Sequence, residues 1–161
     1  MDLLKLRYFG DPVLSLRAVE VVNYDWRLNG LVKGMFAEMY RAGGIGLAAP
    51  QIGVSERIFV YDLNGASGVV INPVIIEQSN EGSSHEGCLS VPGYFFDIPR
   101  AGRVALRGQD VDGMGIELVG EGRLAEMFQH ETDHLDGVLV LDRADAAVAG
   151  VAKRALLMER P

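Results

Sequence analysis

The run Gln129-His130-Glu131-Thr132-Asp133-His134 constrains this chain more than any other stretch. Two imidazoles four residues apart, with a glutamate directly after the first, fit the H-E-x-x-H pattern of a helical metal site. One helical turn is about 3.6 residues, so His130 and His134 leave the same face and can reach one ion. Glu131 points to the edge of that face, near the ion without being needed as a ligand. A carboxylate there can take a proton from water at the ion and later hand it to a leaving amine. The chemistry that follows is metal-assisted hydrolysis of an amide.

Such a site needs a third protein ligand and one open position. Zinc peptidases with this motif usually take a histidine or glutamate that follows the helix. Here only Asp142, Asp145 and Glu159 follow Gly137, and none is convincing. The chain has one cysteine, Cys88 in Glu86-Gly87-Cys88-Leu89-Ser90, and one further histidine, His85. Cys88 is the favoured ligand, as a thiolate with high affinity for iron or zinc. His85, after Ser83-Ser84, reads as part of an exposed loop and not as a ligand.

With 161 residues, 48% of them hydrophobic, residues 1–161 are expected to form a single catalytic domain around one core. A formal net charge of −7 and a pI near 4.9 argue against a dedicated nucleic-acid binder. One cysteine cannot form an internal disulfide, which fits a reducing compartment. The start, Met1-Asp2-Leu3-Leu4-Lys5-Leu6-Arg7, interleaves charge with leucine and has no signal-peptide core. The least charged stretches, Ala42 to Ser55 and Gly65 to Ile76, are broken by Gly, Pro or Asn and are too short to span a membrane. The expectation is a soluble, cytoplasmic monomer.

Asp11-Pro12 reads as an N-cap followed by proline at the first position of a short helical turn. From Asp25 to Ala42 the apolar residues Leu28, Leu31, Val32, Met35, Phe36 and Met39 mark one face of a helix, stopped by Gly43-Gly44. Short β-branched runs follow: Arg57 to Asp62, Val69 to Ile71 and Val74 to Ile76, separated by Asn-Gly or Asn-Pro turns. Tyr94 to Ile98, Val104 to Arg107 and Ile116 to Val119 continue the pattern, with Asp112-Gly113 as a hairpin turn. The metal helix spans about Gly122 to Asp136, Val138 to Leu141 reads as a short strand, and Ala144 to Glu159 as a terminal helix. The fold class is α+β: mostly antiparallel strands packed around a central metal-binding helix, with a long N-terminal helix and a C-terminal helix.

A second constellation, Gly44-Ile45-Gly46-Leu47-Ala48-Ala49-Pro50-Gln51, follows the first long helix. Small residues here suggest a loop whose backbone N–H groups can meet a peptide or a developing oxyanion, with Gln51 adding a neutral amide donor. It lacks the lysine and spacing of a phosphate loop. Together with the cysteine segment and Gln129-His130-Glu131-Thr132-Asp133-His134-Leu135-Asp136-Gly137, in this order and spacing, it resembles the three signature motifs of the peptide deformylases. The resemblance covers nearly the whole chain, from Tyr8-Phe9-Gly10-Asp11-Pro12-Val13-Leu14 to Leu141-Asp142-Arg143.

The resemblance implies removal of the formyl group from N-formylmethionyl peptides and nascent chains, releasing formate. Carried over by position, Cys88, His130 and His134 hold the metal and Glu131 is the general acid/base. Gln51 and the backbone N–H of Leu89 stabilise the oxygen of the tetrahedral intermediate. Backbone around Gly44, Ile45 and Gly46 pairs with the substrate as an added strand, and Met127 supplies apolar surface. Relatives natively use ferrous iron (Fe2+) and often accept nickel (Ni2+), cobalt (Co2+) or zinc (Zn2+); the ligand set by itself suits zinc equally. Some relatives place an arginine after the cysteine motif, where this chain has Gly93-Tyr94-Phe95-Phe96-Asp97, so peptide contacts there would be aromatic. One turn before His130, Glu126 stands where some relatives have an apolar residue.

Arg100 is expected to pair with an acid such as Glu86 and orient the cysteine loop. Leu31, Met35 and Met39 read as core. Lys153, Arg154 and Arg160 give the C-terminal helix a locally basic character, on the plain reading a solvated face and on the sharper one a contact with the ribosome. Two other functions compete: a general metallopeptidase, which would cut unblocked peptides, and a non-catalytic metal-binding or ribosome-docking protein, in which Glu131→Gln would change nothing.

Overall fold

The computed structural model describes residues 4–159. The opening Met1-Asp2-Leu3 and Arg160, on which two of the expectations above bear, lie outside the described residues. One antiparallel sheet of five strands in sequential order carries the fold: β1 (Gly46–Ala48), β2 (Ile58–Leu63), β3 (Ala66–Cys88), β4 (Val91–Gln109) and β5 (Gly115–Glu121). Four helices accompany it: α1 (Trp26–Arg41), α2 (Arg123–Leu135), α3 (Val140–Arg143) and α4 (Ala146–Met158). Helix α2 bears the H-E-x-x-H run and packs against β1, β2, β3, β4 and β5, so it is central. The class is α+β, as the alternation of periods in the sequence implies.

Strand β2 shows why two layers form. Its residues alternate: Phe59 and Tyr61 join Val70, Leu106 and Phe128 beneath α2, whereas Ile58 and Val60 join Val32, Met35 and Met39 beneath α1. A strand covered on both faces must be apolar throughout, and a period-two pattern then splits its residues between two cores. Asp25 caps α1, accepting from the Arg27 and Leu28 N–H groups at 3.1 and 3.3 Å. Asp11 does the same for the short turn Pro12–Ser15, accepting from Val13 N–H at 3.1 Å.

The strand boundaries differ from the sequence reading in three places. First, Val69 to Ile71 and Val74 to Ile76 belong to one strand, and Tyr94 to Ile98 and Val104 to Arg107 to another; β3 and β4 form a single long hairpin. Bulges between Ile71 and Val74, Ile75 and Glu77, and Glu86 and Cys88 absorb the irregular residues. Asn72 sits there at φ +52°, its side chain accepting from Val21 N–H at 2.9 Å and donating to Val21 C=O at 2.9 Å. Second, Ser83, Ser84 and His85 lie within β3 and not in a loop; His85 is exposed on it and pairs with Asp97 at 2.8 Å. Third, Val138 to Leu141 is not a strand: Val140–Arg143 makes a single helical turn, capped by Asp142, which accepts from Leu139 N–H at 2.8 Å. Leu139, Val140 and Leu141 are all buried against Leu14, Val91 and Phe96, and burial on every side erases the periodicity that separates helix from strand.

Gly137 ends α2 at φ +74°, and a Cβ there would come within 2.7 Å of the Ser15 carbonyl oxygen. No helix among the described residues is long and apolar enough to cross a membrane.

Candidate metal centre

Three elements meet at the site. Helix α2 contributes His130, Glu131 and His134. The β3–β4 hairpin contributes Cys88, the last residue of β3, with Leu89 and Ser90 forming its two-residue turn because Cys88 pairs with Val91. The third element is β1 and the turn Ala49–Ile52, which carries Gln51.

Ligand atoms of Cys88, His130 and His134 all lie within 4.8 Å of one another. The Cys88 Sγ is 3.4 Å from His134 Nε2. His130 uses Nδ1 to reach Glu86 Oε1 at 2.8 Å, which leaves Nε2 as the nitrogen available to an ion. Among the described residues three buried side-chain polar atoms have no hydrogen-bond partner: Ser84 Oγ, Glu131 Oε2 and His134 Nδ1. Two of the three are in this centre. A thiolate, two imidazoles and an orphaned carboxylate oxygen fit a divalent cation with one open position.

The electrostatics suit that role. Burial, reinforced by the charges of His130 and Arg100, holds His134 well below the ordinary imidazole value, so it stays neutral and able to ligate. Burial also acts to lower His130, but its hydrogen bonds with Cys88 and Glu86 outweigh that and carry it well above the ordinary value; a cation must displace this proton. Burial pushes the Glu131 carboxyl up to about 7, the positive His130 pulling back and Glu86 adding to the rise. A general base works best near that value. Burial acts to raise Glu86 too, but hydrogen bonds from His130 and Arg100 overcome it and hold the carboxyl at about 2.

Gln51, 1% exposed, has its amide fixed at both ends. Its Oε1 accepts from Ala48 N–H at 2.9 Å, and its Nε2 points toward Ser90 Oγ at 3.2 Å and Cys88 Sγ at 3.8 Å. Gly46 has no room for a side chain, since a Cβ would lie 2.6 Å from Glu131 Oε1. At Gly44 a Cβ would meet the tip of Leu89, Cδ1, at 2.7 Å. Segment 46–48, read from sequence as loop, is the edge strand β1: it pairs with β2 on one side and leaves its other side free. A groove of about 450 Å³ opens there, lined by Gly44, Ile45, Gln51, Cys88, Met127 and Glu131.

The structure therefore brings Cys88, His130, His134, Glu131, Gln51, Leu89, Gly44, Ile45, Gly46 and Met127 to one place. Glu126 and Arg123 line the same groove. Of the three aromatic residues after the cysteine only Phe95 lines the groove, stacked on His85 at 5.8 Å; Phe96 is buried beside Val91, with Tyr94 partly buried against them. Arg100 pairs with Glu86 as the sequence suggested, at 2.8 and 2.9 Å. Two participants escaped sequence reading. Asp133, inside the motif, accepts from Arg100 at 2.7 Å, and Arg143 grips Asp133 at 2.6 and 2.8 Å. Buried spacing on α2 could have flagged Asp133; nothing local marks Arg143.

Donor set, open groove and buried carboxylate together make a candidate metal site beside the free edge of β1. The family comparison narrows the class. The model of the polypeptide deformylase family matches residues 3–149, and the chain belongs to that family. It is 49% identical over 154 residues to peptide deformylase 1 of Corynebacterium efficiens, covering 91% of this chain and 90% of that one. With the peptide deformylase of Acidothermus cellulolyticus the identity is 45% over 151 residues, 94% of this chain and 84% of the relative. The crystal structure of a peptide deformylase from Legionella pneumophila superposes with a TM-score of 0.90 at 40% identity, covering 98% of both chains.

Proposed function

We propose that this chain removes the formyl group from N-formylmethionyl nascent polypeptides, releasing formate, with Cys88, His130 and His134 holding one divalent cation. The observation that carries the reading is the convergence of these three ligand atoms within 4.8 Å beside a buried Glu131 whose Oε2 has no hydrogen-bond partner. Bound there, the cation supplies Lewis-acid polarisation of the formyl group and makes water acidic enough to attack near neutral pH.

The chain's own residues do the rest. Glu131 takes the proton from the attacking water and returns it to the departing amine nitrogen. Its closed surroundings against Gly46 keep the carboxylate aimed at one spot. Gln51 Nε2 and the Leu89 N–H face the oxygen on which negative charge develops; one such donor is typically worth roughly 3 kcal/mol of barrier. The free side of β1 at Gly44, Ile45 and Gly46 receives the peptide as an added strand. Met127 supplies apolar surface to the first side chain. A formyl group carries only hydrogen, so a cramped site that admits it rejects acetyl.

Ferrous iron is the ion this reading assigns, with zinc, nickel and cobalt as substitutes in purified protein. Activity should then fade in air as the iron or Cys88 is oxidised. The reading extends to a monomer working in the cytoplasm as a single domain, 1–161, with α4 and its Lys153 and Arg154 turned to the ribosome. Deleting residues 150–161 should weaken ribosome association and leave turnover of a short formyl peptide intact; unchanged association refutes that part. The main test compares formyl-Met-Ala-Ser with the unblocked peptide. Formate from the first and no cleavage of the second is the predicted result; cleavage of the second means a general peptidase.

A further inference from the structure

We infer that Arg143 is a positioning residue for the ligand His130, acting through Asp133, Arg100 and Glu86. The inference rests on the metal reading above. Four charged side chains alternate in sign along an unbroken path from α3 to the site. Arg143 holds Asp133 through two bonds, Nε to Oδ2 at 2.6 Å and Nη2 to Oδ1 at 2.8 Å. Arg100 donates to Asp133 Oδ2 at 2.7 Å and holds Glu86 through two bonds at 2.8 and 2.9 Å. Glu86 closes the path on His130 Nδ1 at 2.8 Å.

Planar guanidinium–carboxylate pairs made through two bonds fix orientation as well as distance, so the Arg143–Asp133 and Arg100–Glu86 links transmit direction, and the single bonds at 2.7 and 2.8 Å join them to each other and to His130. Arg100 is 4% exposed in its side chain, Glu86 9% and Asp133 12%. In such surroundings an unmatched charge is costly. Arg100 alone stands between two carboxylates and can neutralise only one. Arg143 supplies the second positive charge, leaving Arg100 free to keep both bonds to Glu86. Without Arg143, Asp133 draws Arg100 toward itself, and the hold of Glu86 on His130 slackens. After the turn at Gly137, α3 returns Arg143, ten residues on from Asp133, to within hydrogen-bond reach of that carboxylate. Arg143 itself is 46% exposed and lines a second cleft, of about 840 Å³, with Arg57 and Asp136. The outer end of the path thus lies in a different cleft from the substrate groove.

The test uses cobalt as probe in the whole chain, read by its visible absorption and by competition with a chelator, alongside kcat and KM for formyl-Met-Ala-Ser. Wild type should bind one Co2+ with a thiolate charge-transfer band. Arg143→Met should weaken Co2+ binding by about 3- to 10-fold, below the 10- to 100-fold typical when a ligand's direct partner is lost. It should also shift the cobalt spectrum and lower kcat with KM unchanged. Arg143→Lys keeps the charge and loses the two-bond grip, so it should recover part of the affinity. Arg17→Met, which removes a partner of Asp136 in the same cleft, should bind Co2+ like wild type. Wild-type affinity and spectrum in Arg143→Met overturns the inference even if its unfolding temperature falls. If that variant does not fold, wild-type affinity and spectrum in Arg143→Lys overturns it. Failure of wild type to bind Co2+ instead defeats the metal reading.

Discussion

Replacing Glu131 by glutamine separates what the carboxylate does for catalysis from what it does to stability. In the metal-free protein burial raises the Glu131 pKa from 4.5 to about 7. The side chain is 4% exposed, so solvent screening is slight. Because the folded value lies above the unfolded one, the unfolded chain ionises first. Between those values it binds fewer protons than the native state, so stability falls as pH rises. At roughly 1.4 kcal/mol per pH unit, the difference amounts to about 3 kcal/mol, developed fully above pH 7 and absent below 4.5. Glutamine keeps the shape and cannot ionise. Urea unfolding of chelator-treated wild type and Glu131→Gln from pH 4.5 to 8.5 should therefore show the variant gaining steadily on wild type, by a few kcal/mol at the alkaline end. The same variant, metal-loaded, should lose at least about 100-fold in turnover, the usual scale for a general base. A stability difference that stays flat across this range would refute the claim that the carboxylate is desolvated.

Gly46→Ala places a methyl group on the Glu131 carboxylate, 2.6 Å from Oε1, and should cut kcat by about 100-fold with metal content unchanged, checked by metal analysis beside formate release. Phe128→Ala removes a ring packed edge-on to Tyr61 at 5.4 Å and 6.1 Å from Phe59, and should cost about 3–5 kcal/mol in urea unfolding. Arg100→Met leaves Glu86 and Asp133 facing each other in a buried setting, and should cost about 3–5 kcal/mol, largely restored by Glu86→Gln in the same chain.

Much of the centre was legible because its geometry is local. One helical turn places His130 and His134 together wherever the helix lies, and Gly137 marks where that helix ends. Cys88 was reached by elimination among few ligands and by the order of three motifs, since no local rule brings residue 88 to residue 130. Strand continuity was less legible. Asn72-Pro73 and Ser83-Ser84-His85 read as breaks, yet a bulge and the side-chain bonds of Asn72 carry the strand through the first, and regular pairing with Pro99, Ile98 and Asp97 carries it through the second. Leu139 to Leu141 looked like strand because burial on all sides leaves no period to read. The pairing of Arg143 with Asp133 depends on how α3 folds back, a tertiary fact with no sequence signal. The metallopeptidase and non-catalytic alternatives lose ground to the family match over residues 3–149.

Titrating metal-free protein with Fe2+ in the absence of oxygen, while following formate release from formyl-Met-Ala-Ser, tests the central claim most directly. Activity should rise in proportion to added ion and level off at one ion per chain. Formate released at the full rate with the ion removed, or none at any loading, would contradict a single catalytic cation held by Cys88, His130 and His134.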